Sequence, residues 1–232
     1  MINVPKKNSS EILLLLLLTD LFMVAIHIVA HFSIGGGSYW SMASERGLGE
    51  SFQYIKELWL VFSFAVLVRL RSNKSYLSLS LLFCYLLADD LFAIHENVGN
   101  AIATTLNFQP MFQLNPIDFG ELLVSAIAGI FFIVAVGCSY WFGGKTFQHI
   151  CKRVLVLVGG LAFCGVVLDA LHVIVGGIDG LSLPLEILED GGEMVFMSGL
   201  CWYGISLLRS RDDTRTESTD LSRSQSESLL QR

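Results

Sequence analysis

Long apolar runs alternate along the chain with short polar breaks, and six of the runs are long enough to cross a bilayer as helices: 12–32, 52–70, 76–100, 117–142, 154–176 and 184–208. Helices are expected because lipid offers backbone N–H and C=O groups no partner, so a spanning segment must satisfy them internally. The predicted fold is all-α: a polytopic membrane bundle of six transmembrane helices. Residues 1–11 form an N-terminal segment and 12–208 the transmembrane domain. The polar stretch 209–232 cannot bury a core and is expected to be disordered.

Charge sets the expected orientation. Of the 15 Lys and Arg, only Arg46 and Lys56 fall on one side of a six-span arrangement. The bias places both termini in the cytoplasm. Lys6 and Lys7 before the first apolar run resemble a signal-peptide start. That run continues through Ala30 with no small-residue cleavage site after it, so the first span is expected to be retained.

Composition excludes an ordinary soluble domain, since 53% of residues are hydrophobic and only 16% charged. Membrane lipids are the expected partners, and nucleic acid is not; the default location is a bacterial cytoplasmic membrane. The five cysteines form no C-x-x-C pair, so neither a thiolate metal site nor a disulfide framework is indicated. The glycine runs Gly35–Gly37, Gly159–Gly160 and Gly176–Gly177 read as turns or close helix approaches.

What changes the picture is where the acids sit. With a rise of about 1.5 Å per residue, Asp89 and Asp90 lie roughly 20 Å from the cytoplasmic end of their span. Asp169, His172, Glu189, Asp190 and Glu193 reach a similar height, and His95 and Glu96 lie just above. Asp20, His27 and His31 share a stripe on the first span, without an assigned role. Glu186, Glu189, Asp190 and Glu193 fit one arc, and Gly165, Asp169, His172 and Gly176 another. On a continuous helix His95 would point well away from Asp89. Weak internal echoes accompany this layer: C-x4-D at Cys84/Asp89 and Cys164/Asp169, and D-x-G-E at Asp118–Glu121 and Asp190–Glu193.

Some acids have ordinary explanations. Asn115-Pro116 ahead of Asp118 and Glu121 reads as a capped helix start, and Ser182 and Pro184 ahead of Glu186 likewise. Lys56 and Glu57 read as interfacial, and His31 and His149 as lying near membrane surfaces.

A carboxylate costs about 2.5–3.5 kcal/mol at the centre of a membrane helix, so a layer of them suggests a function. With Lys and Arg nearly absent at that depth, an ion or shared protons must balance the charge. The expected metal ligands are Asp89, His95, Asp169, His172, Glu189, Asp190 and Glu193, a mixed N/O set suited to a divalent metal such as Zn, Mn or Fe. Asp90 and Glu96 would be catalytic proton shuttles. The expected function is a metal-dependent, hydrolase-like membrane enzyme acting on a lipid or amphiphile at the outer leaflet. A proton- or cation-coupled transporter and a non-catalytic assembly subunit are the alternatives. Histidine and acids in a small helical bundle resemble the ingredients of intramembrane lipid hydrolases such as alkaline ceramidases. The final span lacks their H-x3-H and there is no matching serine, so the resemblance assigns no residue.

Overall fold

The computed structural model describes residues 8–33, 39–42, 44, 46–110, 115–175 and 181–230, with backbone only at 8–9, 173 and 210–230. Gly35–Gly37 and Gly176–Gly177 lie outside the described residues. Regular structure among the described residues is helical: α1 (Asn8–Ser33), α2 (Leu48–Leu70), α3 (Tyr76–Phe92), α4 (Ile94–Leu106), α5 (Pro116–Phe142), α6 (Gly144–Ala162), a π-helical turn (Phe163–Leu168), α7 (Asp169–Val175) and α8 (Ser182–Leu230).

Four stretches are long and apolar enough to span a membrane, namely 10–33, 48–70, 116–142 and 144–172; α3 with α4 makes a fifth if the bent pair counts as one. This is the make-up of a multi-pass helical membrane protein. The distribution of side chains agrees. Phe142 is 84% and Trp141 80% exposed, whereas Lys56 is 0% and Asp20 2% exposed, so grease faces outward and charge inward. The expected span 184–208 lies in α8, which is not among the four or five; Glu186, Glu189, Asp190 and Glu193 crowd its first part. Past Arg209, where composition predicts disorder, the backbone of α8 stays helical to Leu230. A helix closes its own hydrogen bonds and needs no core for that.

Two expected helices are interrupted. The span 76–100 ends at Phe92, where Ala93 adopts a left-handed conformation (φ 49°, ψ 50°) and α4 departs at 68°. Side chains take over the broken ladder. Asp89 Oδ1 accepts the His95 backbone N–H at 2.8 Å, and Asn97 Nδ2 donates to the Phe92 and Ala93 carbonyls at 3.0 and 2.7 Å. The expected span 154–176 starts earlier, at Gly144, and passes through the π-helical turn just before Asp169. Such turns recur at functional sites.

α8 is the centre of the bundle: α1, α2, α6, the π turn and α7 pack on it, while α3 packs on α2 and α4 on α5. Its interior has two unlike halves. Near the α2–α3 and α5–α6 turns, Leu60, Phe64, Leu67, Leu79, Phe83, Phe147, Met197 and Leu200 form an apolar core. Phe64 stacks on Phe83 at 5.6 Å, and Tyr76 meets Phe147 edge-on at 5.1 Å. The opposite half, towards the end of α1 and the start of α2, is polar.

Candidate functional site

The polar half begins at a buried ion pair. Lys56 Nζ donates to Asp20 Oδ1 at 3.1 Å, to the Met194 carbonyl at 3.1 Å and to Ser198 Oγ at 3.3 Å, while Ser198 donates to Asp20 Oδ2 at 2.6 Å. All three ammonium protons are thereby used, and α1, α2 and α8 meet at one point. The expectation that Lys56 is interfacial is corrected. Its face of α2 continues the buried stripe formed by Leu60, Phe64 and Leu67, so Gln53, Lys56 and Glu57 turn inward with it.

Beside this pair the carboxyls gather. Glu57, also expected at the surface, is buried and lies within electrostatic reach of Asp90 and Glu193. Asp169 lies within electrostatic reach of His172 and Glu189. Glu193 packs against Gly165 of the π turn; a Cβ there would run into its carboxyl. It feels Asp190, Asp90, Glu189 and Asp169 electrostatically. Glu57, Asp90, Asp169, Glu189, Asp190 and Glu193 thus lie within electrostatic reach of one another in the polar half.

Each well-placed histidine takes one acid. His172 Nδ1 lies 2.9 Å from Glu189 Oε2. His95 Nδ1 lies 3.2 Å from Asp89 Oδ1, correcting the expectation that they point apart; the break at Ala93 brings the ring back. His27 Nε2 lies 3.4 Å from Glu186 Oε2. The Met42 N–H donates to His27 Nδ1 at 3.2 Å and Ser41 Oγ sits 3.1 Å from it, which makes Nδ1 an acceptor and puts the ring proton on Nε2. Glu96 lies within electrostatic reach of His95 and Glu121.

The donors do not converge as a metal centre requires. Among the described residues no three His, Cys, Asp or Glu side chains are grouped to hold a metal ion. His27, His95 and His172 each spend a nitrogen on a separate carboxylate. The ordinary readings fare unevenly. Asn115 and Asp118 do form a reciprocal capping box, with the Asn115 N–H 2.7 Å from Asp118 Oδ2. Glu186 accepts from Ser182 Oγ at 2.7 Å as a first-turn acid would, but also serves His27. The two D-x-G-E strings share a packing role: Gly120 meets the backbone of Gly99, and Gly192 meets the Cys164 sulfur.

The sequence reading missed Gln53, Lys56, Glu57 and Ser198. The signal was the 3–4-residue spacing that ties Gln53, Lys56 and Glu57 to Leu60 and Phe64.

A family model described as a domain of unknown function (DUF8692) matches residues 11–207, and the chain belongs to that family. Neither a curated protein nor a solved structure matches it.

Proposed function

We propose that this member of the family is a six-span membrane enzyme, with both termini cytoplasmic, that performs acid–base chemistry on a lipid or amphiphile at the outer leaflet. The observation that carries the reading is the His172–Glu189 pair, with Asp169 within electrostatic reach of both and the apolar core closing the other end of the bundle. If His172 Nδ1–H donates to the Glu189 carboxylate, the Nε2 lone pair faces away as a base, the arrangement by which a carboxylate orients a catalytic imidazole. Asp169, close to both, supplies the acid. Position fits such a role: the His172 side chain is 24% exposed, so an amphiphile can reach it, whereas Glu57 is 2% exposed. The charge bias of the loops puts this end of the bundle outside.

A second reading, a proton- or cation-coupled transporter, is favoured by the burial of the Glu57 carboxyl inside the bundle. Against it, the buried polar residues towards the other end of the bundle are Ser63, Ser80 and Ser206, too sparse for a relay among the described residues.

The test is lipid turnover by the purified chain in vesicles of native lipid, followed by mass spectrometry. Enzyme action predicts a lipid species consumed by the wild type and spared by His172→Gln and Glu189→Gln. A proton current across intact vesicles, with lipids unchanged, would replace this reading by the second.

A further inference from the structure

The segment leading into α2 is fastened to α1 by a single imidazole. The Met42 N–H donates to His27 Nδ1 at 3.2 Å, and Ser41 Oγ lies 3.1 Å from the same nitrogen. At its other end the segment is tied to α2, where the Leu48 N–H donates to the Tyr39 carbonyl at 3.1 Å. His27 and Ser41 are fully buried and Met42 is 7% exposed. The Met42 side chain lies over Gly49 of α2 and reaches Gly191 of α8, whose Cβ positions would sit 3.5 and 3.9 Å from it. Met42 thus closes the junction of α1, α2 and α8 one residue away from Asp190. On the opposite side of the ring, His27 Nε2 lies 3.4 Å from Glu186 Oε2, and Ser182 Oγ holds that carboxylate from its other oxygen at 2.7 Å.

We infer that His27 is an acid-released latch: neutral, it holds residues 39–42 over the polar half, and protonated, it lets them go. An imidazole accepts at Nδ1 only while that nitrogen carries no proton, because both nitrogens of the imidazolium are donors. A second proton therefore sets Nδ1–H against the Met42 N–H. Ser41 Oγ can turn and accept from the ring, and Glu186 gains a cation to face, so the charged ring keeps two partners. Met42 keeps none for its amide. A buried donor left without an acceptor is costly, so the amide turns out to water and takes the Met42 side chain off Gly49 and Gly191. The titratable groups facing the ring are Glu186 of α8 and His31 of α1, whose ring centre lies 6.3 Å away; Ser41 and Met42 bring no charge. Only the His27 proton competes directly with the Met42 N–H.

The latch does not depend on the lipid chemistry proposed above, and its test needs no substrate. Amide hydrogen exchange at Met42 is followed by mass spectrometry on the purified full chain in detergent, at about pH 7.5 and about pH 5.5, on either side of the ordinary imidazole range. Labelling times are scaled for the intrinsic pH dependence of exchange. Protection of the Met42 amide is expected to fall about tenfold at the lower pH, the loss of one hydrogen bond. His27→Asn offers an amide oxygen near the Nδ1 position and does not titrate, so its protection is expected to be the same at both pH values. Glu186→Gln removes the anion facing Nε2 and is expected to move the release to lower pH by about one unit; it decides the matter should His27→Asn not accumulate. Wild-type protection that ignores pH overturns the latch. An equal fall in His27→Asn, or an unmoved release in Glu186→Gln, places the responsible proton elsewhere and overturns it as well.

Discussion

The two halves of the bundle interior are built on opposite principles. Below, Phe64, Phe83, Leu79, Phe147 and Met197 fill space by shape, and any one of them could be replaced by a residue of similar volume at modest cost. Above, Asp20, Lys56, Ser198, Glu57 and Asp90 are held by charge and hydrogen bonds, where removing one partner strands the other. In lipid no hydrophobic drive pushes helices together, so the lower half relies on packing and the upper half on polar contacts. α1 shows the contrast within one helix. Its buried positions among the described residues are Leu16, Asp20, His27 and Ala30, so two of the four that dock it are polar. The lower half stabilises; the upper half holds the chemistry.

Four measurements would sharpen or break this contrast. The largest effect is expected from Lys56→Met, which leaves Asp20 buried and unpaired; unfolding in detergent should show a loss of about 3–5 kcal/mol, mostly recovered in Lys56→Met/Asp20→Leu. A double variant no better than the single would mean that Lys56 acts through packing alone. Next, Phe83→Ala should cost about 3–4 kcal/mol through its cavity while leaving lipid turnover by the folded protein unchanged. Altered turnover would mean the two halves are not separable. Gly165→Ala should cost about 1–2 kcal/mol because its methyl group displaces the Glu193 carboxyl, and Gly165→Ala/Glu193→Ala should restore most of it; additive losses would dissociate the two residues. The smallest stability change is expected for Glu193→Gln, within about 1 kcal/mol and in the stabilising direction, as for charged groups kept for function against stability. Elemental analysis adds a check on all of them. Less than one Zn, Mn or Fe per chain is expected, and a stoichiometric metal would redraw the upper half around an ion.

Much of this was legible in the chain itself. Hydrophobic length located the apolar helices, and the shared height of Asp89, Asp90, Asp169, His172, Glu189 and Glu193 located the polar layer, because both follow from regular helical rise. What escaped depends on interruptions and on neighbours. A continuous helix through 76–100 turns His95 away from Asp89; only the left-handed Ala93 brings it back, and Ala carries no mark of that conformation. Lys56 and Glu57 lie one turn inside their span, so depth alone makes them interfacial. Burial came from α8 lying across them, which no local pattern records. The metal reading failed to gain support for a similar reason. The expected ligands share a residue type and a calculated height, yet among the described residues His27, His95 and His172 each face a single carboxylate and no three donors are grouped.

At Gly99 and Gly120 no side chain separates α4 from α5: the Cβ of either residue would strike the other's backbone. Two rods pressed main chain to main chain pack as one unit, and the kink at Ala93 sets the angle between that unit and α3. The angle is what seats His95 beside Asp89, so two positions without side chains help decide where an imidazole lies.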